Sequence, residues 1–198
     1  MEALSFVVIL IYAVFFGIVA IISLVPAVIN GIGLARICKK FDTFSPVWRW
    51  VWSLLVPVVA VLRVGDAAAK RENPYSSRKL FKVGILAFIV FTVLATLTTI
   101  FAAVFSVSAE AGFSGVLNTI SMIGLFILFI PTLLAAIWMA IPLYISYFRI
   151  FKAFLPTWGA WLTLIGMFVL SEFAFLIMPV LSFFPLHGQE QKDEVQFE

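Results

Sequence analysis

The chain has 198 residues, of which 64% are hydrophobic and only 12% are charged, and its formal net charge is +3 at pH 7. A water-soluble domain of this length needs far more polar surface, whereas a bilayer solvates apolar side chains directly. The composition excludes a soluble globular protein. Because basic loops of a membrane protein account for the net charge, nucleic acid is not expected as a partner.

Four apolar segments are long enough to cross a bilayer, which takes about 20 residues of helix. They cover residues 5–34, 82–107, 116–143 and 157–184. A fifth segment, residues 46–62, contains Arg49 and Pro57 and has basic residues on both sides. The sequence therefore predicts one all-α transmembrane domain over residues 1–186, with four transmembrane helices and one re-entrant or interfacial helix. Residues 187–198 are polar and acidic, and we expect them to be a disordered tail.

Basic residues orient the chain, because membrane insertion keeps basic loops on the cytoplasmic side. All lysines and arginines except Lys192 fall in three clusters, at residues 36–49, 63–82 and 149–152. If segment 46–62 does not cross, all three clusters share one side. If it crosses, the first cluster is separated from the others. We therefore expect a cell-membrane protein with cytoplasmic basic loops and both termini outside, and a crossing of 46–62 stays open as the alternative.

Local signals mark several helix ends. Pro46 and Pro156 are expected at helix starts, where the missing N–H of proline costs nothing. Asp66 precedes three alanines and a lysine, so the pattern predicts that its side chain caps a short helix. That helix should end before Pro74.

Two stretches of the chain are similar to each other. Each reads R-I-x-K followed by F-x-P-x-W, beginning at Arg36 in one copy and at Arg149 in the other. One interpretation is a shared local need, since each copy is a basic turn that leads a helix into the membrane interface. The other is a duplicated helix–turn–helix unit, as in transporters that are built from repeats.

These residues also resemble a group of small, uncharacterised membrane proteins of Gram-positive bacteria. The resemblance is carried by a basic turn after the first helix, a Trp/Pro-rich segment, a Gly-Asp step and a later Tyr/Lys/Pro turn. In this chain those elements are residues 36–40, Trp50 to Pro57, Gly65-Asp66, and Tyr147, Lys152 and Pro156. The resemblance implies a multi-helix bacterial membrane protein and supplies no activity, cofactor or site residue.

The sequence lacks the residues that common membrane enzymes need. His187 is the only histidine and lies beyond the last apolar segment, which argues against a Ser/His hydrolase. Cys38 is the only cysteine, so a paired-thiol redox site is impossible. The few cytoplasmic carboxylates are separated by basic residues and do not suggest a metal site. We expect no enzymatic activity, no cofactor and no bound metal.

One acidic residue, Glu172, is expected deep inside the last apolar segment. Counting along the helices brings a set of hydroxyl groups to about the same depth, those of Thr96, Thr98, Thr99 and Ser121. An intramembrane carboxyl is a candidate functional group, here one that responds to protons or cations. The interpretation we favour is a neutral acid that is hydrogen-bonded between helices. A small transporter or channel subunit that uses this polar layer is the alternative function.

A second candidate site is a basic and aromatic surface on the cytoplasmic side. It comprises Lys70, Arg71, Arg78, Lys79 and Lys82, together with Trp48, Trp50 and Trp52. Such a surface suits anionic lipid headgroups or an acidic partner, although the same charges could serve only to set topology. The preferred function is therefore a non-enzymatic accessory or scaffold subunit that binds lipid or another membrane protein.

Overall fold

The computed structural model describes residues 14–15, 24–72, 79–110 and 115–186, and these are helical apart from short turns. No strand occurs in this part of the chain. Helix α1 covers residues 24–40. The later elements are α2 (Pro46–Leu55), α3 (Pro57–Glu72), α4 (Lys79–Glu110), α5 (Gly115–Phe154), α6 (Thr157–Val169), a 3₁₀ helix (Ser171–Leu176) and α7 (Ile177–Leu181). The all-α prediction is confirmed.

Two of these helices are long and apolar enough to cross a membrane. The stretches Lys79–Val107 of α4 and Thr119–Phe154 of α5 each have a mean hydropathy of 2.5. On α4, Val93, Ile100 and Val107 recur every seven residues, and each is more than half exposed. Large apolar side chains that project outward along a whole helix suit contact with lipid. These helices support a membrane location.

The chain divides into two compact units. Unit 1 comprises Met1–Ala60 and Ile150–Glu198, and unit 2 comprises Val61–Arg149. The described core of unit 1 includes Leu34, Ile37, Cys38, Ile150, Phe151 and Met178. The described core of unit 2 includes Val61, Leu62, Val64 and Ala87.

A tight turn ends α1. Asp42 has a left-handed φ of 48°, a conformation that aspartate tolerates better than most residues. Its backbone N–H donates to the Lys39 carbonyl, and the Thr43 N–H donates to the Cys38 carbonyl. This is the Schellman pattern, which satisfies carbonyls at a helix C-terminus. The Asp42 carboxylate also accepts a hydrogen bond of 2.8 Å from Arg49 Nη2, which fixes the turn to the start of α2.

The segment predicted as one helix over residues 46–62 is divided in two. Helix α2 ends at Leu55, and Val56 departs from helical geometry with φ −137° and ψ 68°. Pro57 then starts α3, because proline disfavours a helical residue before it and needs no N–H partner in the first turn. Helix α3 continues to Glu72 and includes Asp66, which is only 2% exposed. The prediction that Asp66 caps a separate helix is therefore wrong.

The two predicted proline starts are confirmed. Pro46 is the first residue of α2, and Pro156 is the N-cap of α6. The N-cap residues Ser45 and Pro156 have nearly the same backbone angles, with φ of −62° and −60° and a ψ of 157° in each. Both copies of the F-x-P-x-W sequence thus enter a helix through an extended N-cap, which is the residue before the proline in the first copy and the proline itself in the second.

The last apolar segment differs from the single helix expected over residues 157–184. Helix α6 ends at Val169, and Leu170 interrupts it with φ −109° and ψ 49°. A 3₁₀ helix and the short α7 follow. Pro179 gives a physical reason, because its ring clashes with the carbonyl four residues earlier and so disfavours a regular α-helix before it.

Both ends of this segment lie beside Lys40 in unit 1. The Lys40 ammonium is 5.2 Å from the centre of the Phe154 ring, just before α6, and it donates to the Phe184 carbonyl, just after α7. Gly33 of α1 contacts the backbone at Pro179 of α7. A straight helix over residues 157–184 would separate its ends by about 40 Å. The segment is instead a hairpin whose arms are α6 and the 3₁₀–α7 stretch.

Candidate functional site

Glu172 lies in the 3₁₀ helix between the two arms of the hairpin. Its side chain is outside the described part of the structure, so its role in a polar layer stays a prediction. Glu172 belongs to unit 1, whereas the four hydroxyl residues proposed to share its depth belong to unit 2. The helix break itself is informative, because short 3₁₀ stretches within helices often mark functional positions.

The hydroxyl residues of the expected layer lie on different faces of unit 2. Thr98 points toward α5, and its Oγ1 is 2.9 Å from Oγ1 of Thr132, close enough for one hydroxyl to donate to the other. Thr96 and Thr99 are exposed and donate to carbonyls of α4 itself. Ser121 is only 2% exposed. Thr98 therefore joins two helices, whereas Thr96 and Thr99 line a shallow groove on the outer face of α4.

The described members of the predicted basic set in unit 2 lie at the end of α3 and at the start of α4. Arg71, Lys79 and Lys82 are exposed, and Lys70 is partly buried. Arg78 lies outside the described residues. Whether these cations bind an anionic surface stays a prediction.

The tryptophan residues lie on α2 in unit 1. The rings of Trp48 and Trp52 are stacked, with centroids 5.8 Å apart and an angle of 24° between their planes. Trp48 and Trp50 are 53% and 48% exposed, whereas Ser53 on the same helix is buried. Helix α2 thus buries Ser53 in unit 1 while the indole rings of Trp48 and Trp50 remain about half exposed. Indole rings in this arrangement suit the layer between lipid tails and water.

Three further cations of unit 1 were not among the predicted site residues. Arg36 and Lys39 are exposed near the end of α1, and the Arg36 guanidinium lies 5.1 Å from the Phe183 ring centre. Lys40 binds the Phe184 carbonyl as described, and partial desolvation lowers the pKa of its ammonium. The R-I-x-K sequence could have identified these residues, because it places cations on the outside of the last turn of α1.

Cys38 lies inside unit 1, away from this surface. It is fully buried, and its Sγ is 3.8 Å from the Ser53 hydroxyl oxygen. Burial raises the pKa of the Cys38 thiol, although hydrogen bonding to Ser53 and Thr43 partly opposes that effect. A buried thiol with a raised pKa behaves as a packing residue, because the reactive form is the thiolate.

Among residues 24–72, 79–110 and 115–186, no group of three His, Cys, Asp or Glu residues could hold a metal ion. No protein-family model, curated protein or solved structure matches the chain. The resemblance to small membrane proteins of Gram-positive bacteria therefore rests on the short motifs alone.

Proposed function

We propose that this chain is a non-enzymatic, multi-pass membrane protein that binds anionic lipid headgroups and acts as an accessory or scaffold subunit. The observation that carries the proposal is that unit 1 exposes cations, at Arg36 and Lys39, as well as indole rings, at Trp48 and Trp50. Indole rings favour the interfacial layer. Each cation near an anionic surface contributes about 1 kcal/mol.

The proposed topology has three crossings, made by the segment over residues 5–34 and by α4 and α5. The basic ends of these helices face the cytoplasm. The α2–α3 pair enters from the cytoplasmic side and returns there at Lys70 and Arg71. Residues 157–184 form a second hairpin of the same kind, and the contacts of Lys40 with residues before and after it support this arrangement.

The charge distribution supports the second hairpin independently. If residue 186 lies on the cytoplasmic side, Lys192 follows it there. All 13 lysines and arginines then share one side of the membrane. Four crossings would instead leave Lys192 outside. The three-crossing arrangement therefore follows the positive-inside tendency better, and it places the N-terminus outside and the C-terminus inside.

The tip of the second hairpin suits the hydrocarbon layer. Phe168, Val169 and Leu170 are 67%, 75% and 57% exposed where α6 ends. Helix α6 has 13 residues and is therefore about 20 Å long, shorter than the hydrocarbon core of about 30 Å. An apolar tip at that depth contacts lipid tails without reaching the opposite side.

Cysteine accessibility tests the topology. In a Cys38→Ala background, Lys39→Cys marks the cytoplasmic side and Val116→Cys marks the outside. Pro185→Cys reports on the end of the hairpin, since Pro185 is exposed. In sealed right-side-out vesicles, an impermeant maleimide should label position 116 and leave positions 39 and 185 unlabelled until the vesicles are opened. Labelling of position 185 from outside would refute the hairpin.

Tryptophan quenching tests headgroup binding. The purified protein is reconstituted with brominated phosphatidylglycerol or brominated phosphatidylcholine at equal mole fractions, since bromine quenches nearby indole fluorescence. We expect stronger quenching by the anionic lipid, and we expect Arg36→Gln with Lys39→Gln to remove that preference. The Lys192→Gln variant, which removes a cation elsewhere in the chain, is the control and should keep the preference. Equal quenching by the two lipids in the wild type would contradict the proposal.

The broken helix at Leu170 favours a second candidate function, a small transporter or channel subunit. Transporters often place binding sites at discontinuous helices, and the interruption here lies next to Glu172. Proton or solute flux into proteoliposomes should then fall in Glu172→Gln relative to the wild type. A scaffold would show no flux in either protein.

A further inference from the structure

Three polar side chains of unit 2 each leave a buried atom without a hydrogen-bond partner in the described structure. The atoms are Oδ1 of Asp66, Oγ of Ser146 and Nη1 of Arg149. Asp66 is 2% exposed and Ser146 is fully buried. Most buried polar atoms in folded proteins have a partner, so three unpaired atoms in one unit require an explanation.

All three residues lie near the point where α3 and α5 cross. A Cβ atom added to Gly65 would stand only 2.5 Å from Cβ and 2.8 Å from Oγ of Ser146, so the two helices meet at these residues. Asp66 directly follows Gly65. Arg149 lies three residues after Ser146, on the same face of α5. The unpaired atoms therefore belong to neighbouring positions on the two helices.

We propose that this crossing binds an internal water molecule that bridges Asp66, Ser146 and Arg149. A carboxylate oxygen only accepts hydrogen bonds, a guanidinium nitrogen only donates them, and a serine hydroxyl does both. Water donates twice and accepts twice, and a buried water typically has about three partners. The number and the types of the unpaired atoms match one such molecule.

The mixed charges at the crossing disfavour ionic ligands of either sign. A phosphate would be attracted by Arg149 but repelled by the Asp66 carboxylate, and a metal cation would meet the opposite conflict. A neutral ligand that both donates and accepts hydrogen bonds avoids both charge conflicts. The water then links the carboxylate to the guanidinium across the two helices. This site is independent of the proposed headgroup surface.

A double-mutant cycle on the full-length protein in detergent tests the site. Asp66→Asn and Arg149→Gln each leave the opposite charge at the crossing uncompensated. Each substitution should therefore lower the unfolding midpoint by roughly 6–20 °C. The decrease in midpoint of the double variant should be clearly smaller than the sum of the two single decreases, because the two residues share the bridge. Additive losses would overturn the proposal.

Ser146→Ala distinguishes a bridging water from a direct ion pair. It keeps both charges and removes only the hydroxyl, so it also provides a readout if a charge variant fails to fold. With a water bridge, Ser146→Ala lowers the midpoint and weakens the coupling between Asp66 and Arg149. With a direct ion pair, the coupling is unchanged and the proposal fails.

Ion titrations of the wild type complete the test. Sodium phosphate and sodium chloride at equal ionic strength, and potassium chloride in place of sodium chloride, should give the same midpoint. A rise specific to phosphate that Arg149→Gln abolishes would identify an anion site. A rise specific to one cation that Asp66→Asn abolishes would identify a cation site. Either result would overturn the water assignment.

Discussion

Gly33→Ala tests the contact that holds the second hairpin against α1. A Cβ at this position would stand 2.6 Å from the Met178 carbonyl carbon and 2.6 Å from Cα of Pro179. Comfortable carbon–carbon contacts are about 3.5–4.0 Å, so the two helices would have to separate by about 1 Å. The obstructing atoms are backbone atoms, and no change of side-chain rotamer can move them away.

The expected magnitude comes from a comparison with Gly166→Ala. Gly166 lies in α6, and a Cβ there meets nothing within 4 Å. Both substitutions gain the helix propensity of alanine, about 1 kcal/mol relative to glycine, so that gain cancels between them. Overpacking costs about 1–3 kcal/mol, and only Gly33→Ala incurs it. For a chain of this size, the difference corresponds to roughly 2–12 °C in the unfolding midpoint.

The assay is thermal unfolding of the purified proteins in one detergent, followed by the monomer peak in size-exclusion chromatography. Gly33→Ala should unfold at the lower temperature, and Gly166→Ala should equal or slightly exceed the wild type. Equal midpoints for the two variants would refute the reasoning, because α7 could not then be packed against α1 as described.

Three further predictions concern single contacts. Cys38 should react with maleimide far more slowly in the native protein than after denaturation, because burial raises the pKa of its thiol and reduces the thiolate fraction. A thermal-unfolding double-mutant cycle with Thr98→Val and Thr132→Val should give a coupling of about 0.6 kcal/mol, the usual size for a hydrogen bond between membrane helices. Arg49→Ala should lower the unfolding midpoint more than Asp42→Asn, since asparagine tolerates the left-handed φ of Asp42 and Arg49 also donates a 2.7 Å hydrogen bond to a backbone carbonyl.

The sequence predicted the features that depend on local chemistry. Proline has no N–H and a fixed φ, so Pro46 and Pro156 could be assigned to helix starts without knowledge of the fold. The long apolar runs predicted the helical class and the membrane-length helices α4 and α5.

Features that depend on tertiary contacts could not be predicted in the same way. A hydropathy profile does not distinguish a helix that crosses a membrane from a hairpin that enters and returns, because lipid surrounds both and both need apolar side chains. Pro179 predicts an irregular helix in this segment, but it does not predict that the break occurs as early as Leu170. Asp66 has the sequence pattern of a helix cap, but packing of α3 against α5 places it within a continuous helix. The unpaired atom of Asp66 is a consequence of that packing.

The similarity between the two copies of the R-I-x-K motif extends to residues that precede it. Three residues before its arginine, one copy has Gly33 and the other has Ser146, both of which are small. Gly33 contacts the backbone of α7 at Pro179, and Ser146 contacts α3 at Gly65. In each copy, the small residue three positions before the arginine thus lies at a contact between two helices. A shared need for basic residues at the interface explains the arginine and the lysine, but it does not explain a small residue one turn deeper. The common packing position favours a duplicated structural unit.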